Sequence, residues 1–129
     1  MIKAHWMAVC ALLVWLSSLS AYGADLAGMI KVANGQVSIE RDGKKLLGEV
    51  GSPVEVADRI RTGPDASVGV TLRDNTLLSA GPNSLIVIDK FAFNDTTQDG
   101  NMSIRIRKGT LSVASGRIAK RMPESVDFH

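Results

Sequence analysis

The sequence of 129 residues is one domain's worth, with room for a single modest core and none for a second domain. Its formal net charge is +2, and residues 1–23 carry only Lys3, so the remainder keeps all but one of the 15 basic side chains against 13 acidic ones and lacks a global field that would draw in nucleic acid. Cys10, His5 and His129 are the only residues of their types, which excludes disulfide frameworks, zinc clusters and Cys-His or Ser-His nucleophile pairs from any chain processed near residue 24.

The chain opens with Lys3, runs apolar from Trp6 to Leu16 and then turns small and polar. That is the order of a secretory signal, and Ala21 and Gly23 place small side chains at −3 and −1 for cleavage before Ala24. An uncleaved anchor would need about 20 apolar residues. Ser17, Ser18 and Ser20 cut the run short. A lipoprotein reading fails because Cys10 lies inside the apolar run. The expectation is a helical signal peptide over 1–23, a mature domain over 24–129, and a periplasmic protein with no membrane span after cleavage.

With hydrophobic residues at 45% and aromatics at 5%, the core must rest on Val, Ile and Leu, which leans towards strands. Ile30 and Val32, then Val37 and Ile39, flank Asn34-Gly35 and predict a hairpin with a type I′ turn. Asp42-Gly43 predicts a second turn of this kind; Gly48, Gly51 and Pro53 then leave only a short strand at Val54–Val56. Val68, Val70 and Leu72 alternate before Asp74-Asn75 turns the chain into Leu77-Leu78, a third hairpin. Leu85–Ile88 is continuously apolar, as in a central strand covered on both faces. Residues 94–101 are a polar loop, followed by alternation at Ile104 and Ile106, a turn at Lys108-Gly109, and Leu111 and Val113. No stretch sustains helical periodicity, so helix is confined to a single turn, near Ser84 or around Ile118. Short strands punctuated this regularly read as a sandwich, roll or barrel.

Three groupings invite a chemical reading. Asp95, Thr97, Asp99, Gly100 and Asn101 imitate the start of a calcium loop, but the twelfth position is Ile106 where a bidentate glutamate is needed, so a solvated loop tip is expected and no metal site is assigned. Between Gly100 and Pro123 there is no acidic residue, while Arg105, Arg107, Lys108, Arg117, Lys120 and Arg121 all fall there. On a strand Arg105 and Arg107 share a face, giving either a basic patch for a partner with clustered negative charge or an ordinary charged solvent face opposite Ile104 and Ile106. No stacking Tyr or Trp follows residue 24, which disfavours single-stranded nucleic acid. The carboxylates Glu40, Asp42, Glu49, Glu55, Asp58, Asp65, Asp74 and Asp89 are scattered, and Asp42, Asp65 and Asp74 suit turns. No catalytic residue and no cofactor are assigned, and the protein is expected not to be an enzyme.

Beyond periodicity, Asp58-Arg59-Ile60-Arg61-Thr62-Gly63, Leu72-Arg73-Asp74-Asn75, Gly81-Pro82-Asn83-Ser84 and Lys108-Gly109-Thr110-Leu111, in this order and spacing, resemble the FecR domain family of bacterial periplasmic modules. The resemblance runs from about Gly28 to the C-terminus. It implies an all-β domain, a jelly-roll-like or β-roll sandwich of short antiparallel strands, in which Asp58, Thr62, Gly63, Asp74, Gly81, Asn83 and Gly109 serve as structural turn residues. It also implies a binding or sensing role through an envelope protein partner. Known members relay the occupancy of an outer-membrane siderophore transporter to a cytoplasmic sigma factor. Those regulators carry a sigma-binding segment and a span before the domain; this chain looks like the exported stand-alone members, with a structural envelope component binding cell wall or anionic lipid as the alternative. Family members continue beyond the position of His129 with further strands, so a chain stopping there is expected to expose sheet edge, to be less stable than an extended one, and to be open to edge-strand association.

Overall fold

The computed structural model describes residues 25–129; the expected signal peptide lies outside the described residues. The chain forms strands β1 (Leu26–Asn34), β2 (Val37–Arg41), β3 (Lys44–Leu47), β4 (Pro53–Glu55), β5 (Arg59–Thr62), β6 (Ser67–Leu72), β7 (Leu77–Ala80), β8 (Leu85–Phe93), β9 (Gly100–Lys108), β10 (Leu111–Ala114) and β11 (Val126–Phe128). Among the described residues a short helix, α1 (Arg117–Arg121), and a 3-10 turn at Pro123–Ser125 precede β11. The strands make two sheets, a five-stranded one ordered β10-β7-β6-β1-β4 and a six-stranded one ordered β11-β9-β8-β5-β2-β3. Pairing is antiparallel throughout except between β11 and β9.

Period-2 alternation explains the layers, because side chains along a strand point to opposite faces. In β6 the alternation is strict, with Val68, Val70 and Leu72 buried and Ser67, Gly69 and Thr71 turned outward. Ile30, Val54, Val70 and Leu78 from the five-stranded sheet meet Ile39, Ile60, Ile86, Ile88 and Ile104 from the six-stranded sheet in one aliphatic core. Phe91, Phe93 and Met102 extend that core toward one end, where Ile118 of α1 closes it. β8 lies inside the six-stranded sheet as its apolar run predicts, with Ile86, Val87 and Ile88 all buried. Val87 faces outward, and its cross-strand neighbours are Arg59 and Arg105, whose aliphatic stems can shield it.

Three expected hairpins meet different fates. At Asp42-Gly43 both φ values are positive (52° and 75°) and Arg41 pairs with Lys44, a two-residue hairpin as read. β6 and β7 also pair directly, with Asn75 at φ 70° in their turn. The Asn34-Gly35 reading is corrected: β1 pairs with β4 and β6, β2 pairs with β3 and β5, and the segment between them crosses from one sheet to the other. Of the two residues only Gly35 has positive φ, so the type I′ geometry is absent, and a side chain at Gly35 would crowd the backbone of Ala66. Helix occurs around Ile118 and not near Ser84, whose side chain joins a turn network described below.

A core of this kind tolerates little loss of volume. Ile88→Ala, at a fully buried position, is expected to lower unfolding free energy by about 2–5 kcal/mol in urea titration. Val32→Ala, half exposed on the outer face of β1, should change it by no more than about 0.5 kcal/mol.

Candidate functional site

Among the described residues the buried polar side chains are Asp58, Thr62, Asp74, Thr76 and Ser84, and each is engaged in a fixed turn. Asp58 sits where the chain passes from β4 in one sheet to β5 in the other, next to Ala57 at φ 75°. Its carboxylate, 0% exposed, accepts from Arg41 Nε at 2.9 Å and Nη2 at 2.7 Å, and from the Glu55 N–H at 2.8 Å. Arg41 also reaches Glu55 Oε2 at 2.8 Å and the Pro53 carbonyl at 3.2 Å. One guanidinium on β2 thereby holds the end of β4 across the sandwich. The hydrogen bonds to Asp58 push the Arg41 guanidinium above its ordinary pKa, the charges of Asp58 and Glu55 adding to them. Asp58 lies in the turn between β4 and β5, and its charged partner Arg41 is not among the residues the sequence reading names.

A second network joins three segments. Thr62 Oγ1 donates to the Gly81 carbonyl at 2.7 Å and accepts from the Ser84 N–H at 2.8 Å; the Asn83 N–H donates to the Gly63 carbonyl at 3.0 Å. Ser84 Oγ accepts from the Thr110 N–H at 3.1 Å. Gly109, at φ 82°, lies so close to Ser84 that any Cβ would collide with its hydroxyl. Thr62, Gly63, Gly81, Asn83 and Gly109 are therefore brought together as one corner. Asp74 makes the third network: its carboxylate accepts from the Thr76 N–H at 3.1 Å, Thr76 Oγ1 at 2.9 Å and the Ile118 N–H at 3.2 Å. Gly116, the residue before α1, has no side chain to cap that helix, so Asp74 caps it from 44 residues away.

The six cations expected to form one patch are divided. Arg105, Arg107 and Lys108 lie on β9, whereas Arg117, Lys120 and Arg121 lie on α1, which packs at the Gly100 end of that strand. Arg121 pairs with Asp99 at 3.0 Å in the polar loop, and Asn94 Oδ1 of the same loop accepts from the Thr96 and Thr97 N–H groups. A bulge opposite Leu85 and Ile86 sets Lys108, not Arg107, across from Leu85, so the simple alternation expected after Arg105 is broken.

What the linear reading misses is the next strands. Lys45, Glu40, Arg59, Val87 and Arg105 stand in one cross-strand row on the outer face of the six-stranded sheet, and Leu47, Ser38, Arg61, Leu85 and Lys108 stand in the adjacent row. Arg61 pairs with Glu40 at 3.1 Å and Arg105 with Asp89 at 2.8 Å. Among the described residues no carboxylate lies within ion-pair distance of Lys45, Arg59 or Lys108. On the outer face of the other sheet Met29, Thr71 and Leu77 form one row and Val32, Gly69 and Ser79 the next, with Lys31 exposed at the β1 bulge beside Val32 as the one cation among them. At the β2–β3 border of the basic face lies a cleft of about 310 Å³ lined by Lys45, Leu47, Ser38 and Arg61, with Gln36 and Gly63 at one end. The RIR alternation of β5, Arg59-Ile60-Arg61, is the signal that could have found the rest of the face.

The two kinds of ion pair should separate in measurement. Arg41→Met leaves Asp58 buried without its charged partner and is expected to cost about 3–5 kcal/mol of stability. Arg61→Met, at an exposed pair, is expected to cost about 0–1 kcal/mol. Equal shifts in the urea midpoints of the two variants would contradict the assignment of Arg41 as a structural clip.

No curated protein matches this chain. A solved structure described as a cell surface anchoring domain is 24% identical over an alignment covering 46% of this chain and 80% of that one, with a TM-score of 0.45. The family described as FecR protein matches residues 58–129, from the Asp58 corner through the Thr62–Ser84 network and the Asp74 cap to the last residue. The chain belongs to the FecR family.

Proposed function

We propose that this chain is a non-catalytic binding or sensing module of the FecR type that works in the cell envelope, outside the cytoplasm, and contacts a protein partner through the outer face of its six-stranded sheet. The observation that carries this reading is the asymmetry of the two faces. One presents Lys45, Arg59 and Lys108 without carboxylate partners across its rows; the other carries Lys31 at the β1 bulge among otherwise uncharged rows. Charge arranged on one rigid face steers encounter with an oppositely charged surface and fixes its register. The non-catalytic part is supported by the use of the buried carboxylates and hydroxyls: Asp58, Asp74, Thr62 and Ser84 are each tied to neighbouring backbone or to Arg41, where they hold corners. Export by the N-terminal segment is part of the same proposal.

The same face favours a second reading, a structural envelope component that holds anionic polymer or lipid. The two are separated by site-specific photo-crosslinking in cells. A crosslinker replacing Arg59 or Lys108 is expected to give a discrete protein adduct, and one replacing Ser79 on the opposite face is expected to give none. Adducts to lipid or wall material alone would favour the structural component, and labelling at Ser79 alone would overturn the assignment of the face. Arg59→Glu combined with Lys108→Glu should weaken partner capture about tenfold or more, and capture by the unaltered chain should weaken with rising salt.

A further inference from the structure

The six-stranded sheet ends on β3, and the hydrogen-bond pattern there is set by the turn before it. A two-residue loop at Asp42-Gly43 makes Arg41 and Lys44 a hydrogen-bonded pair. Bonded and non-bonded pairs alternate along an antiparallel ladder, so Lys44 and Leu46 point their N–H and C=O groups at β2 while Lys45 and Leu47 point theirs away. The Gly48 N–H, which donates to the Val37 carbonyl at 2.9 Å, continues the alternation. Among the described residues nothing pairs with the outward groups of Lys45 and Leu47. All four residues of β3 are exposed, Leu47 at 69%, and Val50 in the loop that follows is exposed at 65%.

From this edge we infer that β3 accepts an extended acidic segment of a partner protein as an additional strand, with the partner's apolar side chains beside Leu47 and its carboxylates beside Lys45. The inference rests on the binding-module reading and names the strand and the chemistry of the partner. Charge selects the occupant. Along β3 itself the only charges are Lys44 and Lys45, Asp42 and Glu49 standing beyond its two ends and Glu40 being engaged by Arg61, and the cleft at this border gives room for side chains of an added strand. A second copy of β3 would gather four lysines along one short seam, and edge lysines of this kind discourage self-pairing. The other edges suit this role less. β4 is three residues long, begins with Pro53, and has the Pro53 carbonyl engaged by Arg41. β11 is also three residues long, and β10 offers Leu111, Ser112, Val113 and Ala114, with no charge to choose a partner.

The experiment titrates the purified chain with a short synthetic peptide alternating valine with aspartate, and with its counterpart carrying lysine for aspartate, while amide exchange is followed residue by residue. The acidic peptide is expected to bind saturably and to protect the Lys45 and Leu47 amides; the basic one is expected not to bind. Leu47→Pro removes a donor that faces away from β2 and leaves the β2–β3 ladder intact, and it should weaken binding about tenfold or more. Lys45→Glu, an exposed substitution, tests the same edge without a backbone change and should have a similar effect. Equal binding of both peptides at β3, a dimer formed through β3, or no binding by either peptide would overturn the inference. So would protection confined to β10 or β11, or protection of β3 by anionic vesicles and not by peptide. None of these results alters crosslinking at Arg59 and Lys108, so the broader reading stands or falls separately.

Discussion

The fold depends on joining two sheets at their corners, and the Arg41–Asp58 clip shows how. Strands β4 and β5 are consecutive in sequence but belong to opposite sheets, and three residues carry the chain between them. A turn that short leaves N–H and carboxylate groups inside the protein, where an unpartnered one is costly. Asp58 satisfies the Glu55 N–H, and Arg41 satisfies Asp58 while also holding Glu55 and the Pro53 carbonyl. The backbone completes the corner, with the Ala57 N–H donating to the Ile88 carbonyl and the Ile88 N–H to the Asp58 carbonyl. Replacing the pair with apolar residues could preserve stability, as is common for buried ion pairs, but would not specify where the chain changes sheets.

The same requirement explains what sequence reading recovers. Strand positions follow from alternation, and the core residues of β6, β7 and β8 can be read directly from Val68, Val70, Leu72, Leu78, Ile86 and Ile88. Turn positions follow from Gly, Asn and Asp. What a turn does is less legible, because hairpins and sheet-changing corners both use residues at positive φ. Asp42, Gly43 and Asn75 serve hairpins, while Gly35, Gly51, Ala57, Asn83 and Gly109 fall where the chain leaves one sheet for the other. Asn34-Gly35 carries a hairpin signal and makes a corner, since both sides of β1 are taken by β4 and β6. The parallel docking of β11 on β9 has no local signal at all: it depends on α1, which is held by an aspartate in the β6–β7 turn.

The surface obeys a different rule. A run of cations in sequence becomes a patch only if the fold keeps it on one face, and here the bulge in β9 and the departure of the chain through β10 to α1 divide it. Neighbours across a sheet lie about 5 Å apart, closer than residues two apart on one strand, at about 7 Å. Arg105 is thus tied more closely to Val87, and through it to Arg59 at 46 residues' distance in sequence, than to the arginines of α1. Pairing, which sequence alone does not give, decides the electrostatics.

Corners and edge are connected by what each must avoid. Rigid corners keep β2 and β3 in fixed register, so Lys45 and Leu47 are presented with their backbone groups outward in a constant frame. An edge of that kind invites indiscriminate strand pairing unless something restricts it. Lysines at Lys44 and Lys45 restrict it by repelling copies of the same edge, yet they leave Leu47 uncovered. A strand added only to keep the protein soluble would gain from a polar residue at position 47. An exposed leucine beside paired lysines is instead the pattern of an edge kept available, closed to its own kind and open to a segment of opposite charge.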